Sequence, residues 1–79
     1  MKITNLRTSH VFEGEHIDTI PGGSQMTNYQ LKTYLNLGPL DKQYPYIKRA
    51  TKHKRMVLLQ ADGTYAVIPT DERFWKVEK

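Results

Sequence analysis

The sequence predicts a single domain of the α+β class over residues 1–79: an antiparallel β-sheet, one central α-helix at residues 28–37 packed on one face, and a β-hairpin at residues 55–69. Three observations lead there. Met26–Pro39 carries signals for both ends of a helix, and Asp62-Gly63 stands between two apolar runs. A chain of 79 residues with no cysteine has room for one modest core and no disulfide or thiolate site to staple it.

Taken in order, Lys2–Arg7 can begin a strand. Ser9–Ile20 places Val11, Phe12, Ile17 and Ile20 around Glu13-Gly14, a pattern that suits two short strands with a tight reversal at the glycine. Pro21-Gly22-Gly23-Ser24 breaks regular structure and reads as a loop. In the helix, Thr27 and Gln30 have capping-box spacing, and Met26 and Leu31 have that of a hydrophobic staple. Gly38 and Pro39 read as the stop. Leu31, Tyr34 and Leu35 lie at i, i+3, i+4 and form the expected buried stripe, which Tyr29 and Leu37 widen.

Beyond the helix, Pro45 leaves two readings: a short helix from Pro45 to Ala50, or an edge strand carrying Tyr44, Tyr46 and Ile47. The strand is preferred. Next, Arg55–Gln60 and Tyr65–Pro69 flank A-D-G-T, and a two-residue Asp62-Gly63 turn would pair Gln60 with Tyr65 and Leu58 with Val67. That register puts Met56, Leu58, Tyr65 and Val67 on one face and Val57, Leu59, Ala66 and Ile68 on the other. Both faces are apolar, and one short helix covers only one of them. The N-terminal strands, the tail aromatics Phe74 and Trp75, or a second molecule must cover the other. Cover from within the chain is favoured, because large apolar patches are rare on monomers. The tail can add a last strand through Phe74–Val77 or pack loosely.

Charge divides the chain. Lys2, Arg7 and Lys32 balance Glu13, Glu15 and Asp18 in the first forty residues, so the whole net charge of +4 lies after Leu40. There Lys48, Arg49, Lys52, His53, Lys54 and Arg55 fall in one acid-free run just after Tyr44 and Tyr46. Such a run attracts phosphate, and neighbouring aromatic rings can stack on bases. Its plainer use is as a solvated turn whose lysines protect a sheet edge.

Read together, M-T-x-x-Q-L-x-x-Y-L-x-L-G resembles the opening helix of a helix-turn-helix unit, and the Arg55–Pro69 hairpin resembles the wing of a winged-helix or excisionase-type DNA binder. The resemblance implies DNA contact through a second, recognition helix. That helix would occupy Asp41–Ala50, where this chain carries Pro45, and Lys32 stands where the family often has a small residue.

Catalysis finds little support. His10, Glu13, Glu15 and His16 are suitable ligand types for a metal, but their spacing does not single them out. Pro21–Ser24 lacks the spacing of a phosphate loop, and no nucleophile-base pair stands out. The expectation is a non-enzymatic binding protein with no cofactor or metal, contacting nucleic acid through Tyr44, Tyr46, Lys48, Arg49, Lys52, His53, Lys54 and Arg55. The alternative is an inhibitor or adaptor of phage or mobile-element type, acting on a host protein through an apolar and aromatic surface. A homodimer through the hairpin face is a further expectation. With no cysteine, no signal-like apolar run and no stretch of about 18 apolar residues, the expected setting is cytoplasmic, away from membrane.

Overall fold

A computed structural model describes residues 1–23, 26–41 and 52–79. Its elements are β1 (Lys2–Asn5), β2 (Val11–Ile20), α1 (Asn28–Tyr34), β3 (Arg55–Gln60), β4 (Tyr65–Pro69) and β5 (Trp75–Glu78). The strands form one antiparallel sheet in the order β4-β3-β2-β1-β5. The class is α+β, with the sheet dominant and the helix only seven residues long. The readings of Tyr44–Ala50 as helix or strand lie outside the described residues.

β2 is one ten-residue strand, and the reversal expected at Glu13-Gly14 does not occur. Its first residues, Val11–Glu13, pair with β1, and Gly14–Ile20 pair with β3. Gly14 marks the crossing between these neighbours. A Cβ there would overlap the Leu59 carbonyl, so the glycine serves close approach of backbones rather than a turn. The register shifts between His16 and Asp18, and Ile17 stands in the bulge with its side chain exposed. The chain reverses earlier, at Leu6–Ser9: Asn5 N donates to His10 O (2.8 Å), and Asn5 Oδ1 accepts from Arg7 N (2.9 Å) and Thr8 N (3.2 Å). Replacing Gly14 by alanine should cost about 2 kcal/mol, in the range for overpacking. A chemical-denaturation midpoint equal to that of the native chain would contradict the close approach.

The helix starts as its sequence predicts. Thr27 Oγ1 accepts from Gln30 N at 3.1 Å, and Gln30 Oε1 accepts from Thr27 N at 2.9 Å. It ends sooner than Gly38. Asn36 takes the left-handed conformation (φ 55°), Leu37 N donates to Lys32 O (2.8 Å), and Asn36 N to Thr33 O (3.2 Å). That is a Schellman stop built on asparagine, the other residue that tolerates this conformation. Gly38 instead lies against the ring of Tyr65.

The buried face also differs. Leu31 is buried as expected and Leu35 and Leu37 pack beside it, but Tyr34 and Tyr29 are 71% and 64% exposed. Asn28 is completely buried in their stead. At about 100° per residue, Asn28 and Leu35 both fall on one side of Leu31, and Tyr34 falls about 60° to the other. A buried polar anchor therefore turns the helix away from Tyr34.

The hairpin forms with a register one residue removed from the expected one. Leu59 pairs with Tyr65, Leu58 with Ala66, Val57 with Val67 and Met56 with Ile68. The connection has three residues rather than two: Gly63 N donates to Gln60 O (3.0 Å), Gly63 has φ 84°, and Gln60 N donates to Thr64 O (2.9 Å). This is a turn followed by a glycine bulge. A one-residue slip exchanges the faces of one strand against the other. Met56 and Leu58 thus share a face with Ala66 and Ile68, while Val57 shares the opposite one with Val67 and Tyr65.

Each face has its own cover, both from within the chain. Met56, Leu58, Ala66 and Ile68 pack against Ile3, Phe12 and Trp75, so the β1-β5 half of the bent sheet folds over the β3-β4 half. Val57 and Val67 pack with Ile20 and Leu31, flanked by Leu35, Leu37, Leu40 and Tyr65. The N-terminal strands and a tail aromatic, both expected as candidates, act together. The hairpin forms one end of the five-stranded sheet, with β3 paired to β2 and β4 at the edge. Among the described residues no helix is long and apolar enough to cross a membrane.

Candidate nucleic-acid interface

The basic run enters the described structure at Lys52, directly before β3. Lys52 and Lys54 are exposed and His53 is half-buried. Their position is fixed from two sides. Gly22 packs so closely that a Cβ there would overlap the Lys52 carbonyl. Thr70, just past β4, donates to Lys54 O from its backbone N (3.0 Å) and from Oγ1 (2.9 Å).

These bonds bring the β4–β5 turn against the run. Within that turn Phe74 N and Trp75 N donate to Asp71 O at 2.9 and 3.0 Å. The Asp71 carboxylate receives Arg73 N (3.0 Å) and Nε (3.1 Å) at Oδ1 and Arg73 Nη2 (2.8 Å) at Oδ2, while His53 Nε2 stands 3.2 Å from Oδ2. An open groove of 530 Å³ results, with Lys52, His53, Lys54 and Arg73 around it and Asp71 and Glu72 among them. The Arg73 guanidinium also lies 5.3 Å from the centre of the Phe74 ring.

Arg73 and, more weakly, His53 hold the Asp71 carboxyl down at about 2, from an ordinary value near 3.8. A depressed folded-state value contributes stability above the unfolded-state value, and that contribution disappears as pH falls from about 4 towards 2. Asp71→Asn should therefore lower stability at neutral pH and flatten its dependence between those limits. The check is a set of thermal midpoints from pH 2 to 7. Parallel profiles for the two proteins would show that Asp71 has no such coupling to folding.

Arg55, expected on the surface with the other cations, is completely buried. Its Nη1 donates to Asn28 Oδ1 at 2.9 Å, while Nε and Nη2 have no hydrogen-bond partner among the described residues. Burial lowers the pKa of its guanidinium. At the first position of β3 it shares the helix-facing side with Val57, so alternation sends it inward. It therefore plays no part in the exposed basic surface. Tyr44, Tyr46, Lys48 and Arg49 lie outside the described residues.

Sequence reasoning does not single out Arg73, Asp71, Thr70 or Gly22. Arg73 beside Phe74 is the available signal, but only the turn after β4 brings it to Lys52 and Lys54. The residues weighed as metal ligands are strung along and just before the single strand β2. His10 packs edge-on to Phe12 with ring centres 4.4 Å apart, and His16 Nε2 lies 2.7 Å from Thr19 Oγ1. Among the described residues no group of three or more His, Cys, Asp or Glu side chains could hold a metal ion. The chain matches no family model, no curated protein and no solved structure.

Proposed function

We propose that this chain is a small non-enzymatic binding protein that holds the phosphate backbone of a nucleic acid along the groove of Lys52, Lys54 and Arg73. The observation that carries the reading is the convergence of these three cations from segments on either side of the hairpin onto one open groove. Asp71 is occupied by Arg73 and His53, which limits its repulsion of a phosphate. Lys48 and Arg49 extend the same charge in sequence, and Tyr44 and Tyr46 supply rings for stacking. Arg55 is excluded by its burial.

The test is fluorescence anisotropy with single-stranded and duplex oligonucleotides at low and high salt. Affinity should fall steeply with salt, with a logarithmic slope of roughly −0.7 to −0.9 for each phosphate neutralised. Charge reversal at Lys52, Lys54 and Arg73 together should weaken low-salt binding by at least about a hundredfold, since each cation–phosphate pair removed costs roughly 1 kcal/mol or more. Unchanged affinity in the triple variant would refute the groove as the interface. An inhibitor or adaptor role is the second reading, and the outward Tyr29 and Tyr34 of α1 favour it. It predicts a protein partner whose binding is abolished by Tyr29→Ala and Tyr34→Ala and is insensitive to the groove charges.

A further inference from the structure

β5 is an edge of the sheet, and among the described residues β1 is its only strand neighbour. The direction of its backbone groups follows from hydrogen bonds around β1. Gly14 N donates to Met1 O (3.1 Å) and Asn5 N to His10 O (2.8 Å), so the odd positions of β1 turn to β2. Leu6 N donates to Phe74 O (2.8 Å), which turns the even positions to β5. With Thr4 opposite Lys76 and Lys2 opposite Glu78, the alternation directs the N–H and C=O of Val77 away from β1, to the open side. Its side chain lies on the core face opposite Ile3 and is 36% exposed. It borders an open seam of 400 Å³ whose apolar lining is Met56, Trp75 and Val77. The two halves of the bent sheet share a core there, and nothing among the described residues closes the gap.

Such an edge is a template for another strand. The sequence of β5, Trp-Lys-Val-Glu, indicates which strand fits. Two antiparallel copies centred on Val77 place Val77 opposite Val77, and the outward N–H and C=O of each Val77 meet those of the other. The same register sets Lys76 of each copy opposite Glu78 of the other, and Trp75 opposite Lys79. Lys76 and Glu78 are exposed on the outer face, and within one copy they approach each other only loosely, Nζ to Oε1 at 3.9 Å.

We propose that the chain self-associates through β5 about a two-fold axis at Val77, joining two five-stranded sheets into one of ten strands. The arrangement is isologous: each interaction occurs twice, and the charges are self-complementary. A four-residue strand makes a small interface compared with those of permanent dimers, so association depends on concentration. The surface is separate from Tyr29 and Tyr34, and the proposal does not depend on the nucleic-acid reading.

The experiment is sedimentation equilibrium of the full chain and its variants from about 10 μM to about 1 mM, a range matched to weak complexes. The average mass of the native chain should rise from 9.2 kDa towards twice that value. Lys76→Glu alone and Glu78→Lys alone each place like charges opposite one another at both ends of the pairing. Each should weaken association roughly tenfold or more, and the double variant should restore it. Val77→Pro removes the outward N–H without removing a bond to β1, and should leave a monomer. If that variant fails to fold, the charge-swap set still decides the matter, because Lys76 and Glu78 are solvent-exposed. A native chain that stays at 9.2 kDa throughout, or single charge variants that associate like the native chain, would overturn the proposal.

Discussion

Replacing Asn28 by alanine should lower the free energy of unfolding by about 3 kcal/mol, although the residue is polar and opens a helix of only seven residues. The side chain joins three parts of the molecule. Its Nδ2 donates to Val67 O on β4 at 3.0 Å, its Oδ1 accepts from Arg55 Nη1 on β3 at 2.9 Å, and its backbone belongs to α1. Alanine would strip the buried guanidinium of its hydrogen-bonding partner and leave the Val67 carbonyl without this donor. Removing one partner of a buried charged interaction costs more than the interaction itself contributes, because the group left behind stays desolvated. Arg55→Met, which removes the charge along with its bond, should cost much less than Asn28→Ala. The double variant should recover part of the loss, the signature of coupled neighbours. Thermal and urea unfolding of the three variants provide the check. An Asn28→Ala protein within about 1 kcal/mol of the native chain would mean that the buried pair does not fasten the helix.

Phe12→Ala is the second large effect, about 4 kcal/mol, in the range for truncating a buried aromatic side chain. Phe12 is completely buried in the cluster where Ile3 and Trp75 from one half of the sheet meet Met56, Leu58, Ala66 and Ile68 from the other. Its ring lies 6.1 Å from that of Trp75. A domain of this size has only about 4–12 kcal/mol to lose, so the variant should be largely unfolded at 37 °C by circular dichroism. Tyr34→Ala is the control, expected to change stability by less than about 0.5 kcal/mol because the ring is mostly exposed. Periodicity alone places Tyr34 in the helix's buried stripe, so the two variants distinguish the observed packing from that reading. Equal losses would show that the helix presents its other side.

The candidate site divides along the same line. Lys52, His53 and Lys54 are legible as part of a charge run, because consecutive cations stand out in any sequence. Arg55 belongs to that run by composition, yet strand alternation and the Asn28 carboxamide turn it inward. Arg73 stands far along the chain and joins the lysines through Thr70, whose two bonds to the Lys54 carbonyl bring the turn alongside, and through Asp71, which lies against both Arg73 and His53.

The features legible in the residues alone are local ones. The Thr27-Gln30 capping box and the existence of the hairpin each rest on interactions among residues a few positions apart, so residue types and spacing suffice. How these pieces face one another depends on the assembled fold. The Ala61-Asp62-Gly63 segment is compatible with two- and three-residue connections, and the choice between them sets which side chains of β4 meet the helix. Gly14 reads as a turn until the Leu59 carbonyl is placed against it. Asn28 and Arg55 read as a helix residue and a surface cation until the fold joins them across 27 positions. In each case local energies leave several conformations close together, and burial against distant groups selects one.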